Sequence, residues 1–126
     1  MTNNIFRDIF LAFVRVHLLH HAAEGPIYGL EMIEELARHG YELGPGTLYP
    51  IFHSLEMAGL LAREARTVNG RVRKYYRITA DGREALARLR PKIRELVDEM
   101  LEDGVKRTSG PGSEESPAEA ATEGRE

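Results

Sequence analysis

Histidines are the first residues of this 126-residue chain whose spacing suits a chemical task. His17 and His21 are four residues apart, and His20 stands between them. Two histidines at this spacing share one face of a helix, which is an arrangement that zinc accepts. The chain has no cysteine, and Glu24 is the single carboxylate at a supporting spacing. Histidines in the last turn of a helix also interact favourably with the helix dipole. Since zinc needs more ligands than these, we predict no metal site and no cofactor.

Catalytic motifs do not stand out. The segment "GPG" at 44–46 lacks the Lys and Ser/Thr that complete a phosphate-binding loop. No Ser-His-Asp arrangement or pair of carboxylates is evident in the sequence, so we predict that the protein is not an enzyme.

Nothing in the sequence suggests export or membrane insertion. The N-terminal apolar run has no basic flank and no small-residue cleavage site. No stretch approaches the ~18 apolar residues of a membrane span. We therefore expect a cytoplasmic protein with no membrane partner.

Charge is distributed unevenly along the chain. The formal net charge is −3, yet residues 62–77 carry six basic side chains and one acidic side chain, Glu64. The basic residues are Arg63, Arg66, Arg71, Arg73, Lys74 and Arg77. A basic segment within an acidic chain is typical of nucleic-acid binding, although Arg63, Arg66 and Arg77 could equally form a solvated surface.

Apolar residues recur every three or four positions in three segments and predict three helices. The first extends from Ile5 to His21 and has a broad apolar surface. The second extends from Gly29 to His39, with Leu30, Ile33 and Leu36–Ala37 as its buried stripe and Gly40 just after its end.

The third predicted helix has Thr47 as its N-cap and ends at Gly59. With this start, Pro50 lies in the first turn, where the backbone N–H groups have no partner within the helix. The proline then removes no hydrogen bond from the helix.

A hairpin and a long helix follow. Asn69–Gly70 joins two strand-like runs, which is a strong hairpin signal. Tyr75 and Tyr76 must face opposite sides of the second strand, and alternation alone leaves open which of them is buried. Thr79 caps the long helix, and Pro91 predicts a kink or break near residues 88–90.

This order of elements predicts a mainly α fold with a small β-hairpin, the winged helix-turn-helix, followed by a dimerisation helix. We assign residues 1–79 to the DNA-binding domain and residues 80–103 to the dimerisation helix. Residues 104–126, which have no large apolar residue beyond Val105, are predicted to be a disordered tail. In such a fold the third helix enters the DNA major groove beside the hairpin.

Three segments resemble the PadR family of bacterial transcriptional regulators: "PIYGLEMIEELARHG", "GTLYPIFHSLEMAGLL" and "VRKYYRITADGREAL". The resemblance covers about residues 5–100. It implies a homodimeric repressor of double-stranded DNA whose C-terminal helix pairs with its partner and often packs with the N-terminal helix. For some members it also implies an aromatic or drug-like effector near the dimer interface.

The predicted DNA contacts lie on the third helix and the hairpin, with Tyr28 just before the second helix. They are Tyr28, Thr47, Tyr49, Pro50, His53, Ser54, Arg71, Arg73 and Lys74. The third helix contains no Lys or Arg, so the attraction for phosphate must come mainly from the hairpin. Tyr28 could instead anchor the turn between the first two helices, and Tyr49 could merely cover Pro50. Because the third helix has no basic residue, the alternative function is a winged helix that binds another protein and little or no DNA.

The predicted dimer contacts follow a heptad-like seam in the last helix and the aromatic surface of the first helix. They are Phe10, Phe13, Leu86, Leu89, Ile93, Leu96 and Met100. Part of this surface is expected to line a cavity for a flat apolar effector.

Overall fold

The structure is a computed structural model that describes residues 2–109, with side chains from residue 4 to residue 102. The described residues form four helices and a small antiparallel sheet of strand order β1-β3-β2. In chain order the elements are α1 (Thr2–Glu24), β1 (Ile27–Tyr28), α2 (Gly29–Arg38), α3 (Pro45–Met57), β2 (Leu61–Val68), β3 (Arg71–Ile78) and α4 (Ala80–Ser109). The predicted winged helix-turn-helix is confirmed.

The chain consists of two compact units, and the boundary between them lies within α4. Residues up to Leu86 form the first unit, which includes the start of α4, and residues from Ala87 form the second. None of the helices in the described part of the chain is both long enough and apolar enough to cross a membrane.

The core of the first unit lies between the helices and the inner face of the sheet. Helix α1 buries Val14 and Leu18 in it. Helix α3 contributes Phe52, whose ring stacks on that of Tyr76 with 4.3 Å between centroids and 5° between planes. Tyr76 is thus the buried member of the tyrosine pair on β3, and it fixes the sheet against α3.

Helix α2 ends as predicted, in a left-handed glycine. Gly40 has φ +89°, its N–H donates to the Ala37 carbonyl, and the Tyr41 N–H donates to the Leu36 carbonyl. These two bonds form the Schellman arrangement, which satisfies carbonyls that have no partner within the helix.

The buried stripe of α2 differs from the prediction. Gly29, Met32 and Leu36 are buried, whereas Leu30 is 57% exposed and Ala37 is also exposed. The periodicity in the sequence allowed either stripe, and the rotation of α2 is set by its packing.

Helix α3 begins earlier than predicted, so the assignment of Thr47 as N-cap is wrong. Gly44 is the N-cap, and its carbonyl accepts hydrogen bonds from the Thr47 and Leu48 N–H groups. Pro45 occupies the first helical position, where its fixed φ suits a helix start. Pro50 consequently lies one turn deeper, where it removes the bond to the Gly46 carbonyl. Both residues are exposed, so water can hydrate that carbonyl.

Strands β2 and β3 with their turn form the wing. Asn69 and Gly70 both have positive φ, 53° and 77°, as a two-residue hairpin turn of type I′ requires. The short strand β1 extends the sheet on the other side of β3, with Ile27 opposite Tyr76 and Tyr28 opposite Tyr75. This third strand was not predicted.

Helix α4 begins with the predicted cap. The Thr79 hydroxyl accepts a hydrogen bond from the Gly82 N–H at 2.9 Å and donates one to the Gly59 carbonyl at 2.6 Å. The helix continues through Pro91 without a break and reaches Ser109, past the predicted end at residue 103. The rest of the predicted disordered tail, residues 110–126, lies outside the described residues.

Candidate nucleic-acid interface

One face of α3 is buried and the opposite face carries most of the predicted DNA contacts. Leu48, Ile51, Phe52 and Leu55 face the core. Tyr49, Pro50, His53 and Ser54 are exposed on the other face, and Thr47 is half-buried. The Ser54 hydroxyl donates to the Ile51 carbonyl at 2.8 Å, so its free capacity toward a ligand is as an acceptor.

Tyr49 extends from α3 across the first residue of α2. A Cβ atom on Gly29 would lie 2.2 Å from the Tyr49 hydroxyl oxygen and 2.6 Å from the ring carbon that carries it. Only glycine leaves room for the ring, so Gly29 determines where Tyr49 lies. Tyr49 remains 44% exposed.

An aromatic and cationic stack connects the three strands on the outer face of the sheet. The Arg73 guanidinium lies over the Tyr28 ring at 4.1 Å from the centroid and donates to the Tyr75 hydroxyl at 3.4 Å. The Tyr28 and Tyr75 rings meet edge to face at 5.2 Å, and the guanidinium of Arg66 lies over Tyr75 at 4.7 Å. The hydrogen bond to Tyr75 raises the pKa of Arg73 above its ordinary value. The stack places the Arg73 guanidinium, which stays charged, against the Tyr28 ring and the Tyr75 hydroxyl.

A groove of about 490 Å³ lies where α2, α3 and the wing converge. It is lined by Tyr28, Gly29, Leu30, Tyr49, Val72, Arg73 and Lys74. Four of these residues, Tyr28, Tyr49, Arg73 and Lys74, were predicted as DNA contacts. The structure brings them together from three different elements, β1, α3 and β3.

The N-terminus of α2 opens into this groove. Tyr28 is its N-cap and makes no side-chain hydrogen bond to the first turn. The first N–H groups of a helix have no intrahelical partner and attract anions. The groove therefore combines backbone donors with the side chains of Arg73 and Lys74, and this set can bind a phosphate group.

The six basic residues of the wing fall into two groups. Arg66 and Arg77 both donate to Glu64, at 2.6 and 2.9 Å, and Arg63 lies 3.6 Å from Glu56. Hydrogen bonds from Arg66 and Arg77 lower the pKa of Glu64, so it remains ionised and offsets one of their two charges.

The second group is Arg71, Arg73 and Lys74. Within residues 4–102, no carboxylate forms an ion pair with any of them. The wing cations without an ion-pair partner in this range are thus the three residues that were predicted to contact DNA.

Several parts of this arrangement were not predicted from the sequence. Gly29, Leu30 and Val72 line the groove, and Glu64 and Glu56 divide the basic residues into two groups. The alternation of β3 contained the signal for Val72. The ion pair between Arg77 and Glu64 joins residues 13 positions apart and depends on the strand register.

The predicted dimer contacts occupy different environments within their own units. Leu86 is 3% exposed in the core of the first unit, so we leave it out of any interface. Phe10 is half-buried against Tyr41, with 4.6 Å between ring centroids, and Leu89 is half-buried. The remaining four, Phe13, Ile93, Leu96 and Met100, are between 41% and 64% exposed.

Comparison with known proteins finds similar regulators. The model of the transcriptional regulator PadR-like family matches residues 18–88. Transcriptional regulator Rv3488 of Mycobacterium tuberculosis is 48% identical over 107 residues, which cover 85% of this chain and 99% of that protein.

Solved structures agree with these sequence matches. A PadR-like transcription factor from Bacteroides fragilis is similar with a TM-score of 0.68 at 25% identity, over 79% of this chain and 97% of that one. A PadR family regulator from Eggerthella lenta gives a TM-score of 0.62 at 30% identity, over 80% and 93% of the two chains. The residues that the family model matches include every element that builds the groove.

Proposed function

This chain belongs to the PadR-like family of transcriptional regulators, and we propose that it is a homodimeric repressor that binds a specific operator in double-stranded DNA. As a member of this family it is a DNA-binding regulator and not an enzyme. The observation that carries the proposal is the groove, because an uncapped helix N-terminus, Tyr49 and two uncompensated cations converge there.

The proposal assigns different tasks to α3 and the wing. Arg71, Arg73 and Lys74 bind phosphates and supply affinity for any sequence. The exposed face of α3 meets the base edges in the major groove, where Tyr49, His53 and the hydroxyls of Thr47 and Ser54 select the sequence. Pro50 lies on the same face and contributes apolar contact. Tyr28 holds Arg73 in place and borders the DNA backbone.

Apolar surfaces on two helices support the dimer. In α1, Ile5, Phe6, Ile9 and Phe13 are about half exposed or more. In α4, the residues from Ile93 to Leu101 expose a second apolar strip. Apolar surfaces of this extent mark interaction sites, and a second copy of the chain is the partner that we propose for both.

An aromatic or apolar small molecule is the proposed effector that releases the operator. The exposed rings of Phe6 and Phe13 support this proposal, because flat apolar ligands bind against such side chains. A panel of aromatic compounds should raise the melting temperature of the protein and lower its operator affinity. A panel without effect on either quantity would contradict the effector.

Operator selection tests the main proposal. Random DNA duplexes bound by the purified protein should converge on a sequence with two related half-sites, as a dimer requires. Fluorescence anisotropy should then give at least a ~1,000-fold preference for this sequence over a scrambled duplex. Absence of DNA binding would instead favour a protein-interaction module, the alternative suggested by the lack of Lys and Arg in α3.

A further inference from the structure

Three imidazole rings converge on the side of the first unit where α1 meets the end of α2. His17 and His21 lie on one face of α1, and their rings are nearly parallel with 6.3 Å between centroids. His39, the C-cap of α2, stacks on His17 with centroids 5.2 Å apart. One nitrogen of each of the three rings lies within 4.8 Å of the others. The fold thus adds a third imidazole to a pair that was too small to be a metal site.

The position of His39 follows from the way in which α2 ends. The two Schellman hydrogen bonds at Gly40 fix the last turn and turn the chain toward Tyr41. The Tyr41 ring then meets His17 edge-on, with 5.2 Å between centroids. The backbone at His39 is therefore fixed, and the ring of Tyr41 limits the position of the His17 ring.

Glu35 contacts two of the three rings. Its Oε2 lies 3.0 Å from Nε2 of His39 and 3.6 Å from Nε2 of His21, and Arg38 contacts the other oxygen. A carboxylate that accepts a hydrogen bond from one nitrogen of an imidazole fixes the ring and leaves its other nitrogen for a metal. Glu35 can thus orient the ring of His39 and the ring of His21.

We propose that His17, His21 and His39 bind a divalent transition-metal ion of the Zn²⁺ class, with Glu35 as a residue that positions two of the ligands. Three neutral imidazoles suit Zn²⁺, Ni²⁺ and Cu²⁺ far better than Mg²⁺ or Ca²⁺. Three protein ligands leave the fourth tetrahedral position to water. The site lies outside the groove and does not depend on the proposed function in DNA binding.

Small ring movements complete the geometry. Zinc–nitrogen bonds of about 2.0–2.1 Å place tetrahedral ligand atoms roughly 3.3 Å apart. The nitrogens must therefore approach one another by no more than about 1.5 Å, which rotation about side-chain bonds provides. His39 has the freedom to move, because its side chain is 46% exposed. The cost of ordering the site is small, since the helices that carry the ligands are already in place.

A second group of candidate ligands shares His21. It consists of His20, His21 and Glu24, all within the last turns of α1. It has two imidazoles instead of three, and Glu24 is 64% exposed. We favour the first group because it has more nitrogen ligands and is held by two helices. Both groups contain His21, but only the first contains His39 and only the second contains His20. Variants of His39 and His20 therefore distinguish the two sites.

Calorimetric titration with Zn²⁺ tests the site. The protein is the full chain without an affinity tag, treated with a chelator that is removed before the titration. We expect one ion per chain and a rise in the melting temperature. His39→Gln should weaken Zn²⁺ binding by at least about tenfold. His53→Gln on α3 and His20→Gln should bind Zn²⁺ as tightly as the wild type does. Unchanged binding by His39→Gln, or loss of binding by His20→Gln, would overturn the proposal.

Two further measurements separate ligation from folding. In NMR spectra of the wild type, Zn²⁺ should shift the ring resonances of His17, His21 and His39 and leave that of His53 in place. Glu35→Gln should lower Zn²⁺ affinity by about tenfold, and the neighbouring control Glu34→Gln should not. A shift confined to His20 and His21, or equal affinities of the two glutamine variants, would contradict these assignments.

Discussion

Among individual residues, Gly29 and Tyr49 depend on each other most closely. The absence of a side chain at the first position of α2 lets the Tyr49 ring lie beside the Tyr28–Arg73 pair. This contact connects the two helices of the helix-turn-helix at the point where we propose that DNA binds.

Gly29→Ala should therefore displace Tyr49 and weaken operator binding, on the order of tenfold if one direct contact is lost. Gly25→Ala is the matched control, since a Cβ there meets nothing within 4 Å. Anisotropy titrations with a selected operator give the comparison, and melting curves verify that both variants fold. Equal affinities of the two variants would mean that the position of Tyr49 does not matter for DNA.

Single residues also show what the sequence could not provide. The basic segment and the three residues at its tip were identifiable by composition. Which arginines are paired depends on the strand register, which places Glu64 opposite Tyr75 and diagonally across from Arg77. In the same way His39 and Glu35 approach His17 and His21 only after α2 packs on α1, so the sequence predicted no metal site.

The ends of helices and strands were predictable from the sequence where a glycine, a turn pair or a capping residue determines them. Gly40 and Gly59 have left-handed conformations after α2 and α3, Asn69–Gly70 forms the turn, and Thr79 caps α4. The predicted start of α3 was wrong because either Pro45 or Pro50 could mark the first turn of the helix. The favourable position of Pro45 at the first residue outweighs the cost of Pro50 in the second turn. Strand β1 has only two residues and exists because β3 pairs with it.

The base of the wing packs tightly on the start of α4, and this contact should be sensitive to volume. A Cβ atom on Gly82 would lie 2.2 Å from the Leu60 carbonyl oxygen and 2.7 Å from Ile78 Cγ1. Since the first of these is a backbone atom, Gly82→Ala should destabilise the first unit by about 1–3 kcal/mol.

Urea denaturation measures this free energy. Gly46→Ala in α3 is the control, because its Cβ meets nothing within 4 Å and alanine favours a helix. The control should be neutral or slightly stabilising. Equal free energies of unfolding for Gly82→Ala and wild type would show that the base of the wing accommodates the added methyl group and that the contact is not tight.

At the scale of the whole molecule, the apolar strip of α4 should determine the oligomeric state. Leu96→Asp combined with Met100→Asp places two charges on residues that are 50% and 64% exposed. Because neither residue belongs to the core of the first unit, the variant should fold, become monomeric and bind the operator weakly.

Sedimentation velocity at micromolar concentration checks the mass, and circular dichroism checks the fold. Glu95→Ala with Glu99→Ala, on the same helix, should remain dimeric. A monomeric wild type would contradict the proposed dimer, as would a Leu96/Met100 double variant with unchanged mass.

The unpaired cations of the wing should determine how strongly DNA binding depends on salt concentration. Arg73 and Arg77 lie on the same strand and carry the same charge, but only Arg77 is paired with a carboxylate. The logarithm of the binding constant should be measured against the logarithm of salt concentration, on operator and on scrambled DNA, for Arg73→Ala, Arg77→Ala and wild type. If Arg73 neutralises one phosphate, Arg73→Ala should reduce the magnitude of the slope by about 0.9 on both DNAs and weaken both alike. Arg77→Ala should leave the slope unchanged. Equal slopes for wild type and Arg73→Ala, or a loss of slope in Arg77→Ala instead, would contradict the account.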